Sequence, residues 1–288
     1  MTDPSPKWYH RLYVGLQYLL PQHLLSALMY RLTRWRWRRL KNLIIRGFVR
    51  HFGVDMGESV EPDASAYETF NHFFTRELRP DARPFPAAPD AVLCPADGTL
   101  SQLGKIANGR IFQAKGRDYS LLELLGGRED WASAFEDGCF ATIYLSPRDY
   151  HRVHMPLKGD LRGVIHVPGR LFSVNPITTA LVPRLFARNE RVACLFESAA
   201  GPMAVILVGA IFVGSMETVW AGQVTPRTRA GKSPGEGPTA RLDRGSEMGR
   251  FNMGSTVILL FPPGRVAWDP SLAAGDPVRV RQRMGDLA

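Results

Sequence analysis

The chain reads as an α+β protein, with a β-rich body of sandwich or barrel-like type behind an N-terminal helical appendage. Three observations predict this. From Ala91 onward, short runs rich in β-branched and other apolar residues are punctuated by glycine and proline. Upstream, residues 23–52 carry apolar side chains at helical spacing. The charge is also divided: residues 1–52 hold ten Lys or Arg against one acid, whereas residues 53–288 hold 26 basic and 26 acidic residues. The net charge of +9 therefore belongs to the appendage.

In "HLLSALMYRLTRWRWRRLKNLIIRGFVRHF" (23–52), Leu25, Leu28, Met29, Leu32 and Trp35 form a stripe that slips and resumes as Leu40, Leu43, Ile44 and Phe48. This spacing predicts two helices, or one broken near Arg36. Arginines interleaved with tryptophan and leucine make a basic amphipathic surface suited to lying in a lipid interface. Anionic headgroups add about 1 kcal/mol per nearby basic residue. Two other readings fit the same composition: helices packed on the body with solvated arginines, and a nucleic-acid arm. The membrane-associating reading of residues 1–52 is the one favoured here.

Residues 53–90 form a second segment. "SAYETFNHFFTREL" (65–78) predicts a helix opened by Ser65 and Glu68 at capping-box spacing, and the four prolines of "RPDARPFPAAPD" (79–90) predict an extended connector. The body spans 91–288. Its expected strands are 110–114, 139–146, 162–167, 191–198, a split run over 203–219, 255–261 and 277–282, with one short helix over 120–125 begun by Ser120 and stopped at Gly126. Residues 225–246 hold four Gly and three Pro with almost nothing apolar, which predicts a long mobile loop.

Several classes are excluded by composition. The longest apolar run, residues 203–214, has 12 residues, whereas a helix crossing a bilayer takes about 20. Cys94, Cys139 and Cys194 are odd in number and scattered, so neither a disulfide framework nor a zinc site is expected, and a reducing, cytoplasmic setting fits. The N-terminus lacks the features of an export signal.

Three stretches carry reactive side chains: "CPADGTL" (94–100), "YLSPRDYHRVHMP" (144–156) and "MGST" (253–256). Each has a plain structural reading. Asp97-Gly98 is an ordinary turn pair, His151 and His154 are polar loop residues or a metal pair lacking a third ligand, and Gly254-Ser255-Thr256 is a bend into a strand. Together they supply a carboxylate, an imidazole and a hydroxyl, the members of a nucleophilic triad. A serine hydrolase using Asp97, His154 and Ser255 in an intact chain is one outcome. The GxSxG elbow is absent, since Met253 precedes Ser255 by two residues and Val257 follows it by two. A non-catalytic membrane-binding module is another.

The motifs "NHFFTRELRP", "PADGTLSQLGKI", "YLSPRDYHRVHMP", "GPMAVILVGAIFVGSMETVW" and "EMGRFNMGST" are more specific than any triad. On them the chain resembles the bacterial phosphatidylserine decarboxylases, which are self-processing and pyruvoyl-dependent. The family often has leucine where Met253 stands, a change that leaves the chemistry intact. The resemblance implies that Ser255 attacks the Gly254 carbonyl, that the chain parts into 1–254 and 255–288, and that residue 255 becomes a covalent pyruvoyl group. That group condenses with the substrate amine as a Schiff base and accepts electrons as CO₂ leaves, in the manner of pyridoxal phosphate but without it and without a metal. It also implies that His154, oriented by Asp97, is the base for cutting, with His151 the candidate donor that reprotonates the product, or His154 in its place. Gly254 is expected because it has no Cβ to obstruct attack and tolerates a twisted backbone. The expected partners are phosphatidylserine, an anionic membrane surface and a second copy in a homodimer, with no nucleic acid, and the expected location is peripheral, on the cytoplasmic face of the cell membrane.

Overall fold

An open eight-stranded antiparallel sheet organises the body. The computed structural model describes residues 7–114, 116–212, 215–225 and 240–288. In order across the sheet run Arg241–Leu242, Gly159–Val167, Arg191–Ser198, Gly201–Val208, Ser255–Phe261, Cys139–Leu145, Gly98–Lys105 and Pro277–Val278. Two-residue strands end it on either side and do not meet, so the sheet does not close into a barrel.

Its central strand, Ser255–Phe261, is buried at every position. Alternation places successive side chains on opposite faces. Val257, Leu259 and Phe261 enter one core with Val92, Val153, Phe251 and Met284, while Ile258 and Leu260 enter the other with Leu124, Phe135, Phe172 and Leu185. Full burial of each such side chain is worth about 1.5–3 kcal/mol. The first face is covered by two small sheets. One joins Gly222–Thr225, Met216–Thr218, Glu247–Phe251 and Arg152–His154; the other joins Ala91–Leu93, Arg283–Leu287 and Val266–Trp268. Short helices, among them Leu121–Leu124, Pro176–Leu181 and Leu185–Arg188, cover the second face.

The appendage comprises three helices: α1 (Trp8–Leu19), α2 (Gln22–Leu32) and α3 (Arg38–Phe52), the last closed by Gly53 in the left-handed region. The break lies at residues 33–37, where the apolar stripe slips. Their amphipathicity is turned outward. Polar side chains face the body: Gln17 Oε1 accepts from the Ser173 N–H at 2.8 Å, Gln22 Oε1 from the Leu171 N–H at 2.9 Å, and Ser26 Oγ from the Phe212 N–H at 3.2 Å. Trp8, Leu12, Leu16, Leu19, Leu24, Leu28, Trp35, Trp37, Leu43 and Ile44 are exposed. No helix among the described residues is long and apolar enough to cross a membrane.

The segment expected as a helix over 65–78 is helical only over Phe70–Phe74. Ser65 does not cap it, because its N–H and hydroxyl both turn back to Asp63; Thr69 caps instead, accepting from the His72 N–H at 3.0 Å. The Ser120 cap and the Gly126 stop stand as expected, with Gly126 at φ 69°. The strand expected over 277–282 is reduced to Pro277–Val278. Of the loop expected to be mobile over 225–246, residues 226–239 lie outside the described residues, whereas Thr225 ends the strand Gly222–Thr225 and Arg241–Leu242 is a strand.

Candidate active site

Ser255 opens the central strand opposite Leu145, and Thr256 pairs with Tyr144 on one side and Val208 on the other. The residues upstream are held as firmly. The Phe251 N–H donates to the His151 carbonyl at 3.0 Å and the Asn252 N–H to the Ser215 carbonyl at 2.9 Å. The Asn252 amide donates to Glu217 at 2.7 Å and accepts from Asn71 at 3.1 Å. Gly254 thus spans two anchored segments.

The Ser255 side of the Gly254–Ser255 step is buried, while Gly254 itself is half-buried. Ser255 and His151 are wholly buried, and neither Ser255 Oγ nor His151 Nε2 has a hydrogen-bond partner. A buried hydroxyl left unpaired costs about 1–3 kcal/mol, so its retention points to chemistry rather than stability. A Cβ built on Gly254 would lie 3.6 Å from the Leu145 carbonyl oxygen and 3.8 Å from His151 Nε2. These are ordinary contacts, and the φ of Gly254 is not left-handed, so neither space nor handedness demands glycine in the uncut chain.

His151 Nδ1 lies 2.8 Å from the Asp149 carbonyl. A carbonyl only accepts, so the proton is on Nδ1 and the Nε2 lone pair is bare. Burial pushes this imidazole down to about 3, the Asp149 hydrogen bond and the nearby Arg76 charge being smaller influences, so it is neutral at pH 7. Its ring packs on Phe74, with centroids 4.1 Å apart.

His154, on the strand Arg152–His154, has both nitrogens engaged. Nδ1 donates to the Gly245 carbonyl at 2.9 Å, and Nε2 accepts from the Tyr150 hydroxyl at 2.9 Å. Its pKa is also lowered, chiefly by burial. Asp97 sits in the turn before the strand Gly98–Lys105. Its carboxylate accepts from the Val280 N–H at 2.7 Å and from Arg83 through two nitrogens, one of them at 3.1 Å, and Arg83 reaches on to Glu58 at 2.7 Å. That turn lies against the histidine strand, because the His154 N–H donates to the Pro95 carbonyl at 2.8 Å.

All four expected side chains therefore gather at one end of the central strands, around the C-terminal end of Cys139–Leu145. They are not linked as a relay, since no hydrogen bond joins Asp97 to His154 or His154 to Ser255. The residues not foreseen are Tyr150, Asn252 and Arg83. Tyr150 lies inside the histidine motif, so proximity was its signal; Arg83 lies in the proline-rich connector, where a charge ordinarily reads as solvated.

An apolar groove of ≈ 490 Å³ runs between α2, α3 and the Phe70–Phe74 helix, lined among others by Leu40, Ile44, Phe48, Phe70 and Met253. It ends one residue before Gly254. Among the described residues no cluster of three metal-ligating side chains occurs.

An antiparallel-sheet body carrying a basic helical appendage, with a buried, unpartnered hydroxyl at the head of its central strand, has the make-up of an enzyme with an enclosed site. The family model for phosphatidylserine decarboxylase matches residues 70–286, and a second model, described as PSD, matches residues 12–53. A phosphatidylserine decarboxylase proenzyme of Bordetella petrii is 57% identical over 281 residues, covering 96% of each chain. That of Azotobacter vinelandii is 56% identical over 282 residues, covering 96% of this chain and 99% of its own. That of Pseudomonas fluorescens is 56% identical over 279 residues, covering 96% and 97%. The chain belongs to the phosphatidylserine decarboxylase family.

Proposed function

We propose that the chain is made as a precursor, cuts itself between Gly254 and Ser255, and then converts phosphatidylserine to phosphatidylethanolamine and CO₂ at the surface of an anionic membrane. The observation that carries this reading is the unpartnered, fully buried Ser255 hydroxyl at the first position of a strand anchored on both sides. An intact-chain hydrolase needs that hydroxyl open to an external substrate, whereas the cutting step needs only the adjoining Gly254 carbonyl.

In the cutting step Ser255 Oγ bonds to the Gly254 carbonyl carbon and the peptide C–N bond breaks, leaving an ester. Loss of the residue 255 α-proton then breaks the Cβ–Oγ bond and frees the Gly254 carboxylate. Water adds to the remaining dehydroalanine and ammonia departs. His154 is the proposed base, its Nδ1 proton held by the Gly245 carbonyl and Asp97 acting only through the turn whose Pro95 carbonyl accepts from the His154 N–H; to act it exchanges the Tyr150 hydroxyl for that of Ser255. A base of this kind is worth about 10²- to 10⁴-fold in rate. A second reading has a specific observation behind it: the bare Nε2 of His151 faces Gly254, making His151 the competing base.

The environment fits a pyruvoyl group, since a ketone at residue 255 inherits a buried position and the fixed Thr256 amide. When formed, the group supplies an electron sink for decarboxylation. The chain's own residues do the rest. Strand pairing fixes residue 255, and His151, neutral at rest with a bare Nε2, is the proposed group that takes up a proton and returns it to the substrate α-carbon.

The outward apolar face of α1–α3 and the exposed Arg31, Arg36, Arg38, Arg39, Arg46 and Arg50 support a peripheral membrane seat without a spanning helix. The groove ending at Met253 supports a lipid substrate. The test is release of labelled CO₂ from carboxyl-labelled phosphatidylserine. Wild type should release it and Ser255→Ala should not; equal release by both would contradict the proposal.

A further inference from the structure

Arg76 is a buried cation that the cutting chemistry does not use. The residue is 5% exposed, its Nε has no partner, and no carboxylate among the described residues lies within ion-pair distance. Its one hydrogen bond runs from Nη2 to the Arg148 carbonyl at 3.2 Å, and the guanidinium lies 5.7 Å from the Phe73 ring centroid. A guanidinium carries five N–H donors in a planar fork, so most of its capacity is unspent. Burial lowers its pKa, the direction expected of a charge held out of water. Tyr67, Asp97, Glu58 and Asp149 offset this only in part and from beyond ion-pair contact. A buried guanidinium with an unspent donor and no carboxylate in contact can take an anion directly.

Its location indicates which anion. The Arg148 carbonyl belongs to the loop that carries His151, and the next residue, Asp149, supplies the carbonyl that fixes the imidazole. Phe74, two residues before Arg76, packs on the His151 ring. The guanidinium therefore forms part of the wall beside the reactive step. Other arginines near the histidine motif are committed or outside: Arg152 is paired with Glu247 at 2.9 Å, and the Arg148 side chain is exposed.

We propose that Arg76 binds the phosphodiester of the substrate headgroup. This rests on the decarboxylase reading above. The substrate brings two anions, and only one suits a fixed cation. Negative charge leaves the carboxylate as CO₂ forms, so a cation on that group would stabilise the ground state more than the transition state and slow the reaction. The phosphodiester keeps its charge throughout, so holding it anchors the substrate without opposing chemistry.

The test compares fully cleaved wild type, Arg76→Gln and Arg76→Lys on short-chain phosphatidylserine and on a phosphate-free O-alkyl serine. A charged hydrogen bond lost from binding corresponds to about 10- to 100-fold. Arg76→Gln should lose that factor in kcat/KM on the phospholipid, through KM, and change less than about twofold on the phosphate-free ether. Arg76→Lys should lie between. Equal loss on both substrates would overturn the proposal, marking a carboxylate or scaffold role. Where Arg76→Gln fails to cut itself, glycerophosphoglycerol, a phosphodiester without an amine, serves as competitor against the ether. It should inhibit wild type and inhibit Arg76→Lys several-fold more weakly; an unchanged inhibition constant would refute the assignment. If cleaved wild type, with a ketone trappable by amine and borohydride, releases no CO₂ from either substrate, the decarboxylase reading itself fails.

Discussion

The appendage and the sheet body bury opposite kinds of side chain. Fifteen of the twenty-one large exposed apolar side chains among the described residues fall between Trp8 and Ile44, while Gln17, Gln22, Ser26 and Lys41 of the same helices are buried. The body does the reverse, with an unbroken apolar strand at its centre. A helix docked through hydrogen bonds and apolar on its free side has not been inverted by accident of composition. It is arranged for two neighbours, a polar protein surface and an apolar medium. On the proposed reading the contrast is a division of labour: the body holds the Gly254–Ser255 step at the head of its core strand, and the appendage turns its apolar face to a membrane.

The largest effects should come from breaking the buried site. Asp97→Asn and His154→Ala should each slow conversion of precursor to two pieces by about 10²- to 10⁴-fold, read as band intensity over time. In the same assay His151→Ala should cut at near wild-type rate and then fail to decarboxylate. If instead His151→Ala stops cutting while His154→Ala proceeds, the bare Nε2 is the base. Breaking the appendage should be milder. Replacing Leu12, Leu16 and Leu19 with serine removes about 1.5–3 kcal/mol of burial per side chain. Co-sedimentation with anionic vesicles should fall, while self-cutting in solution stays unchanged.

The smallest effect sharpens the comparison through pH. His151 is depressed from its ordinary 6.5 to about 3, so between those values the unfolded chain binds more protons than the folded one. Stability should therefore be full above pH 6.5 and decline as pH falls toward 3, by at most about 1.4 kcal/mol per pH unit from this group. Chemical denaturation of Ser255→Ala against the double variant with His151→Gln checks it: the double variant should show a shallower acid slope, and an equal slope would show that burial of His151 does not carry the effect.

Much of this was legible from residues alone. The strands at 139–145, 191–198 and 255–261 are dense apolar runs, and the break between α2 and α3 follows the slip in the stripe. Gly98–Lys105 was missed because its two glycines and polar residues weaken alternation, and Arg152–His154 and Glu247–Phe251 because short strands form only where a partner exists. The appendage stripe revealed an apolar face but not which way it turns, since that depends on backbone N–H groups at Ser173, Leu171 and Phe212, far away in sequence. The site residues were legible as types. Their pairing was not, because the tautomers of His151 and His154 are set by the carbonyls of Asp149 and Gly245, and the Asp97 carboxylate is claimed by Arg83.

The most direct measurement is the intact mass of the purified protein under denaturing conditions, after treatment with borohydride and an amine. The account predicts two polypeptides, residues 1–254 ending in a free Gly254 carboxylate and residues 255–288 carrying the amine adduct at their first residue. A single full-length polypeptide with an unmodified Ser255 that still releases CO₂ from phosphatidylserine would contradict it.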